Sequence, residues 1–280
     1  MATETTNTSA KAWAPDITTF APTDAVPDAL ILETSTIAGA VEGDAPVVRV
    51  AYVDDDEAQF TAEGAEIPEA DPGLSEALVH TAKVTQLVRL SREQYSQAGT
   101  ELQLAESVRR AVTKKANAAY LAQVAPTAPA VAPVAGLVNV AGVVAGDPVS
   151  GSLDALIDLI AELQANDAMP THLILDPVGW AELRKLKTAT GSNQSLLGAG
   201  TSDAQALLLS LPTLVSNAMP ANTGLVVDKT AVISAVGQVL VATSTDAYFA
   251  SDSVGLRATW RFGHVVPRPN RLGKFTVGTV

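Results

Sequence analysis

Residues 47–90 constrain this chain more than any other stretch, because two strand-forming arms there flank a tip that a single domain has no means of burying. The outgoing arm, 47–53, reads VVRVAYV, a Val-rich run with one aromatic that suits a pleated, half-buried strand. The return arm, 77–90, has the same character. Between them stand Asp54, Asp55, Asp56 and Glu57, followed by EGAEIPEADPG over 63–73, with Glu63 and Glu66 among its acids. Acid, Pro and Gly at that density predict an open loop or ribbon. A two-stranded ribbon alone is marginal in water. It needs a surface to lie on, and another copy of the same chain is the simplest one.

Charge is distributed to match. Residues 1–82 carry 16 Asp and Glu against 2 Lys and Arg, whereas 83–280 carry 14 acids and 16 bases. Beyond Ser253 there are five bases, Arg257, Arg261, Arg268, Arg271 and Lys274, and no acid. An acidic front and a basic rear within one chain allow the front of one copy to register on the rear of the next. The competing explanation is a solvated acidic face that keeps the protein dispersed.

At 280 residues, 47% of them hydrophobic, the chain can bury a full core, in one large domain or in two that share elements. It has no cysteine, which removes disulfides and thiolate metal sites and is compatible with assembly in a reducing cytoplasm. The opening MATETTNTS lacks the basic and apolar regions of a signal peptide. The uncharged stretch 126–146 is interrupted by Pro126, Pro129, Pro133, Gly136, Gly142 and Gly146, so it predicts an irregular loop rather than a membrane helix.

In chain order, residues 1–46 are polar and Pro-containing, with one short apolar run at 29–37, and read as an extended arm that gains order from neighbours. Ser91 and Thr100 open helical segments, the second with the capping-box pattern Thr100-Glu101-Leu102-Gln103. Leu104, Val108, Ala111, Val112, Ala119 and Ala122 keep helical spacing to about Gln123, a helix of roughly 35 Å at 1.5 Å per residue. Ser152 begins another helix, with Leu153, Leu156, Ile157, Ile160, Ala161 and Leu163 on its apolar side. A buried strand at 172–175 and an Asp176-Pro177 turn then lead into a helix over 178–187. Short strands at 214–215, 224–227, 231–234 and 238–242 complete an α+β domain with its own small sheet. Two closing strands, 255–266 and 272–277, are broken at Pro267 and Pro269.

Signals for chemistry are weak. His80, His172 and His264 are far apart in sequence and fit ordinary half-buried residues better than ligands or bases. The run Asp54–Glu57 lacks the alternation and glycine of a calcium loop. Gly198-Ala199-Gly200-Thr201-Ser202 lacks the lysine and preceding strand of a phosphate loop. No GxSxG elbow is present. Arg109, Arg110, Lys114 and Lys115 form a basic cluster that suits nucleic-acid phosphates and suits equally well the acids of a neighbouring arm. No catalytic residue, cofactor or metal is expected.

The order of elements is itself specific: polar arm, acidic ribbon, long helix, Gly/Pro loop, small α+β domain, basic closing strand. With it go AEGAEIPEADPGLSEALVHTAKVTQLVRLSREQY at 62–95, HLILDPVGWAELRKLKTATGSNQSLLG at 172–198, LPTLVS at 211–216 with Met219-Pro220, and DAYFASDSVGLRATWRFGHVVPRPNRL at 246–272. In these stretches the chain resembles the major capsid proteins of tailed bacteriophages with the Hong Kong 97 fold.

The resemblance implies an N-terminal arm at 1–46, an extended β-hairpin loop at 47–83 and a peripheral domain at 84–149 with a spine helix at about 100–123. It further implies an axial domain at 150–242 and closing strands of the peripheral domain at 243–280. The implied function is a non-enzymatic subunit, assembled in the host cytoplasm, whose hexamers and pentamers form the icosahedral head of the virion around double-stranded DNA. Portal and separate scaffolding or cement proteins are the implied partners, DNA is contacted non-specifically, and no membrane is involved. Asp54, Asp55, Asp56, Glu57, Glu63 and Glu66 are expected to meet Arg109, Arg110, Arg257, Arg261 and Arg268 of a neighbour. Two departures matter. No lysine lies between Lys11 and Lys83, against the lysine–asparagine crosslink of some relatives, and with 46 polar residues before the ribbon the expectation is a scaffold that is a separate protein or absent. The alternatives are an encapsulin-type nanocompartment shell and a soluble α+β ligand-binding protein.

Overall fold

The computed structural model describes residues 17–54, 60–61, 63–64, 69, 73–97, 100–189, 192–197 and 207–278. In chain order the first half contains β1 (Ile17–Phe20), α1 (Pro22–Ala25), α2 (Leu30–Thr34), β2 (Thr36–Val41), β3 (Val47–Asp54), β4 (Gly73–His80), β5 (Ala82–Ser91), α3 (Arg92–Tyr95) and α4 (Thr100–Ala122). The second half contains β6 (Val144–Ala145), α5 (Asp154–Ala165), β7 (His172–Leu175), α6 (Pro177–Lys185), β8 (Leu207–Leu208), β9 (Leu211–Val215) and β10 (Thr223–Val227). It ends with β11 (Ile233–Gly237), β12 (Val239–Tyr248), β13 (Ser253–Val265) and β14 (Gly273–Thr276).

The 13-residue β13 is the axis of the first sheet. Along one edge it pairs antiparallel with β5, from Ser253↔Ser91 to Phe262↔Ala82. Along the other it pairs first with β12 and then with β11. β1 extends the sheet beyond β12, and β2 runs parallel to β11 at the far end. Its inward residues, Val254, Ala258, Trp260 and Phe262, are buried, and the Trp260 indole donates to the Gly237 carbonyl at 2.9 Å. Helix α4 covers this inner face through Val108, Val112, Ala116, Tyr120 and Leu121. Val108 and Val112 were expected from helical spacing, while Tyr120 and Leu121 carry the rest.

The second sheet has the order β6-β14-β10-β7-β9-β8. Alternation along its central strands divides two cores. Ile174, Leu225 and Val227 join the core under α4, whereas Leu173, Leu175, Val226 and Phe275 join Leu156, Leu159, Leu163 and Leu183 from α5 and α6. Helix α6 starts where the sequence places it, because the Asp176 carboxylate accepts from the Val178 and Gly179 amides at 3.1 and 3.0 Å, a side-chain N-cap followed by Pro at the first helical position.

Three expectations are corrected. Residues 17–46 are not an extended arm awaiting a neighbour. Val26, Ala29, Leu30 and Ile31 are buried in their own chain's core, since four apolar residues clustered within six positions are enough to seat one short helix. Asn117 of α4 accepts the Leu30 amide at 2.9 Å, satisfying a donor that the helix start leaves free, and Tyr120 and Thr34 hydroxyls bond at 3.0 Å. The strands at 231–242 and 272–277 are exchanged between sheets relative to the expected grouping. β11 and β12 lie beside β13, and β14 sits in the second sheet against β10. In α5 the buried positions are Leu156, Leu159 and Leu163 while Ile157 stands 48% exposed, which rotates the apolar stripe by about a quarter turn.

His264 lies beneath this core. It packs edge-on to Tyr120 with centroids 5.0 Å apart, and its Nε2 donates to the Ala135 carbonyl at 3.0 Å. Burial outweighs that bond and holds the imidazole at about 4, below the ordinary 6.5. The unfolded chain takes up this proton near pH 6.5 and the folded chain only near 4, so the stabilisation is complete above 6.5 and is lost as pH falls through that window.

Two outcomes follow from this packing. Ile31→Ala lowers the unfolding free energy by about 2–5 kcal/mol in urea titration, and a loss under about 0.5 kcal/mol would mean that α2 is not part of the core. Between pH 7 and 4.5 the urea midpoint falls in the unaltered protein and falls less in His264→Gln. Equal drops would place the acid sensitivity elsewhere.

Candidate intersubunit surface

The ribbon is the antiparallel pair β3–β4, in register from Val47↔His80 to Asp54↔Gly73. Strand alternation gives it two faces. Val50 and Val79 point inward and pack with Val41 and Ala235 at the edge of the first sheet. Val47, Val53 and Leu78 point outward, with Val53 and Leu78 each 46% exposed, and Arg49 and Glu76 form an ion pair of 3.4 Å beside them. A ribbon anchored by one apolar face and carrying part-exposed apolar side chains around an ion pair on the other leaves apolar surface open to water.

Its base is held by a cluster of polar contacts. The return arm expected as one strand is two, β4 and β5, which join different sheets and break at Thr81. The Thr81 amide donates to the Pro46 carbonyl at 2.9 Å and its hydroxyl to the Ala45 carbonyl at 2.6 Å. Arg261 donates to the Thr81 carbonyl and hydroxyl at 3.3 and 3.1 Å. Asp44 pairs with Lys83 at 3.1 Å and with Arg261 at 3.4 Å; the hydrogen bond and charge of Lys83, then the charge of Arg261, lower its pKa below the usual carboxylate value. Gly263 is obligatory beside this clasp, because a Cβ there would lie 2.2 Å from the His80 carbonyl oxygen. A concavity of about 610 Å³ opens next to it, lined in part by Asp44, Lys83 and Arg261.

Cross-strand register places Lys83 opposite Arg261, Leu87 opposite Arg257 and Arg89 opposite Gly255. These residues share the sheet face turned away from α4. Leu87 is 60% exposed, Arg257 is exposed, and the Arg89 guanidinium lies 4.8 Å from the Tyr248 ring centroid. The result is an apolar residue in a cationic frame.

The expected contact residues therefore divide. Arg261 and Arg268 both hold their own ribbon, Arg261 at its base and Arg268 through a 3.1 Å bond to the Val53 carbonyl. Arg109 pairs with Asp28 and Glu106 of its own chain at 3.4 and 3.3 Å. Arg110 shares Glu106 at 3.9 Å and is exposed, and Arg257 stands on the open sheet face. Glu63 occupies an exposed turn. Asp55, Asp56, Glu57, Glu66 and the Asp54 side chain lie outside the described residues. Asp44, Thr81 and Lys83 were missed as the clasp; the only sequence hint was Thr81 standing between two alternating runs. His80, His172 and His264 do not converge. Among the described residues no group of three His, Cys, Asp or Glu side chains is arranged to hold a metal ion, and no helix is long and apolar enough to cross a membrane.

The phage capsid family profile matches residues 29–277. Solved structures with a similar fold include that of Gordonia phage Cozz, at TM-score 0.67 and 15% identity over 90% of this chain and 87% of the other. Microbacterium phage Oxtober96 gives 0.67 and 13% over 99% and 96%. The capsid of a native GTA particle gives 0.62 and 14% over 100% and 96%. No curated protein matches the sequence. With the family profile spanning both sheets, the ribbon and the closing strands, the chain belongs to the phage capsid family.

Proposed function

We propose that this chain is the major capsid protein of a tailed phage, assembling through hexamers and pentamers into the icosahedral head that encloses double-stranded DNA. The observation that carries the reading is the match to the capsid family along 29–277. It is supported by a ribbon whose outer residues Val47, Val53 and Leu78 stay 37–46% exposed within their own subunit.

In this reading the first sheet and α4 form the peripheral domain and the second sheet with α5 and α6 the axial domain. β11 and β12 go to the former and β14 to the latter. The ribbon tip, with Asp54, Asp55, Asp56, Glu57, Glu63 and Glu66, reaches the cationic sheet face of the next subunit. There Arg257 and Arg89 supply charge and Leu87 an apolar anchor. Arg261 and Arg268 act within the subunit, aiming the ribbon that its neighbour receives. The subunit works structurally, with portal and separate scaffolding or cement proteins as partners and assembly in the host cytoplasm.

Charge pairs at such a contact steer and register association and are screened by salt. Purified protein is expected to form uniform particles by negative-stain microscopy, with fewer of them as salt rises from about 0.1 to 1 M, where the screening length falls from about 10 to 3 Å. Arg257→Glu abolishes the particles or moves assembly to higher protein concentration. A monomer or small oligomer under all conditions sinks the shell reading. Particles indifferent to both salt and Arg257→Glu sink only its electrostatic part.

A further inference from the structure

We propose that the exposed side of α4, through Arg110, Lys114 and Lys115, is a phosphate-binding face for the double-stranded DNA that the shell encloses. This rests on the reading of the chain as a capsid subunit and adds the element that meets the genome.

The argument begins with neutralisation. Between Glu106 and Asp147 the sequence has no acid, and it has four cations, Arg109, Arg110, Lys114 and Lys115. Folding neutralises one of the four: Arg109 is half-buried between Asp28 and Glu106. Arg110 retains a single 3.9 Å approach to the same Glu106, with 67% of its side chain exposed. Lys114 and Lys115 are exposed and pair with no carboxylate among the described residues. Elsewhere, Lys83, Arg92 and Lys185 each sit within 3.1 Å of a carboxylate oxygen. In a chain of net charge −12, two lysines without a carboxylate partner among the described residues, beside an Arg110 that only shares Glu106, form a local field of the opposite sign on α4.

Geometry suits a polyanion better than a single carboxylate. Arg110 and Lys114 lie one turn, about 6 Å, apart on the outer side, and Lys115, about 140° around the axis from Arg110, stands on the flank. Each DNA strand carries a charge about every 3.4 Å of duplex axis, so Arg110 and Lys114 reach about two phosphates and Lys115 adds a contact from the side. The helix is rigid because its opposite side, Val108, Val112, Ala116 and Tyr120, is locked in the core. Lys115 also lines a cavity of about 180 Å³ shared with Lys83, Gln123 and His264, on the flank of α4 next to the first sheet. Among the described residues no base-reading element accompanies these cations, so the proposed contact is to the backbone and independent of sequence.

The test uses the full chain and a random-sequence duplex of about 30 base pairs. Binding is followed by fluorescence anisotropy from about 50 to 300 mM salt, with particle formation checked by microscopy on the same preparations. The triple change R110Q/K114Q/K115Q keeps helix-forming side chains, and circular dichroism verifies that the fold is retained. The slope of log K against log salt is expected to shrink in magnitude by about 2 to 3, near 0.9 per phosphate released. Particles still form, and Arg184→Gln, at an exposed cation of α6, leaves the slope unchanged. An unchanged slope in the triple variant, with particles intact, overturns the inference. Loss of particles in a folded triple variant also overturns it and makes this face a contact between copies. Absence of particles in the unaltered protein is a separate failure, that of the shell reading itself.

Discussion

Two-sided pairing of β13 is the constraint on which the rest depends. A strand hydrogen-bonded along both edges has no free backbone groups to satisfy, so its outward side chains are released for contact and its inward ones set the core. With β5 on one edge and β12 and β11 sharing the other, the strand joins segments some 150 residues apart in sequence. Trp260, buried on the inner face under α4, ties β13 to the end of β11 through its bond to the Gly237 carbonyl. Gly263 lets the chain crossing from β4 to β5 pass directly over it. The position of the ribbon is thus inherited from the last 30 residues of the chain.

Local chemistry made several elements legible from the sequence. α4 follows from apolar spacing over six turns, β7 from a short apolar run, and the start of α6 from Asp176 and Pro177, since each of these is decided within a few residues. Sheet membership was not legible. β10, β11 and β12 are short apolar runs of the same kind, and the change of sheet happens at the turn where Asp228 accepts from the Thr230 amide and hydroxyl, a feature that reads like any other turn. The same limit applied to charge. Acid and base segregate plainly along the chain, yet whether Arg261 meets its own Asp44 or a neighbour's acid depends on a close approach between residues 217 positions apart. The capping pattern at Thr100 gave the start of α4, and its cooperation with α2 through Asn117 came only with the tertiary fold.

Within the candidate surface, cations have two distinct roles. Arg261 and Arg268 are spent on orientation, binding carbonyls and a carboxylate of their own ribbon. Arg257 and Arg89 stand open beside Leu87. A guanidinium suits both tasks, because its planar array of donors holds several oxygens in fixed directions. Exposed ion pairs contribute little to stability, so the clasp matters chiefly for direction: it restricts where the ribbon points before anything meets its outer face.

The docking of α2 on α4 has a kinetic consequence. Since Leu30, Ile31 and Thr34 find their partners inside one molecule, a subunit completes its core by a first-order process whose rate is independent of protein concentration. Lattice closure is of higher order and slows on dilution. A newly made chain can therefore wait, already folded, until enough of its kind have accumulated.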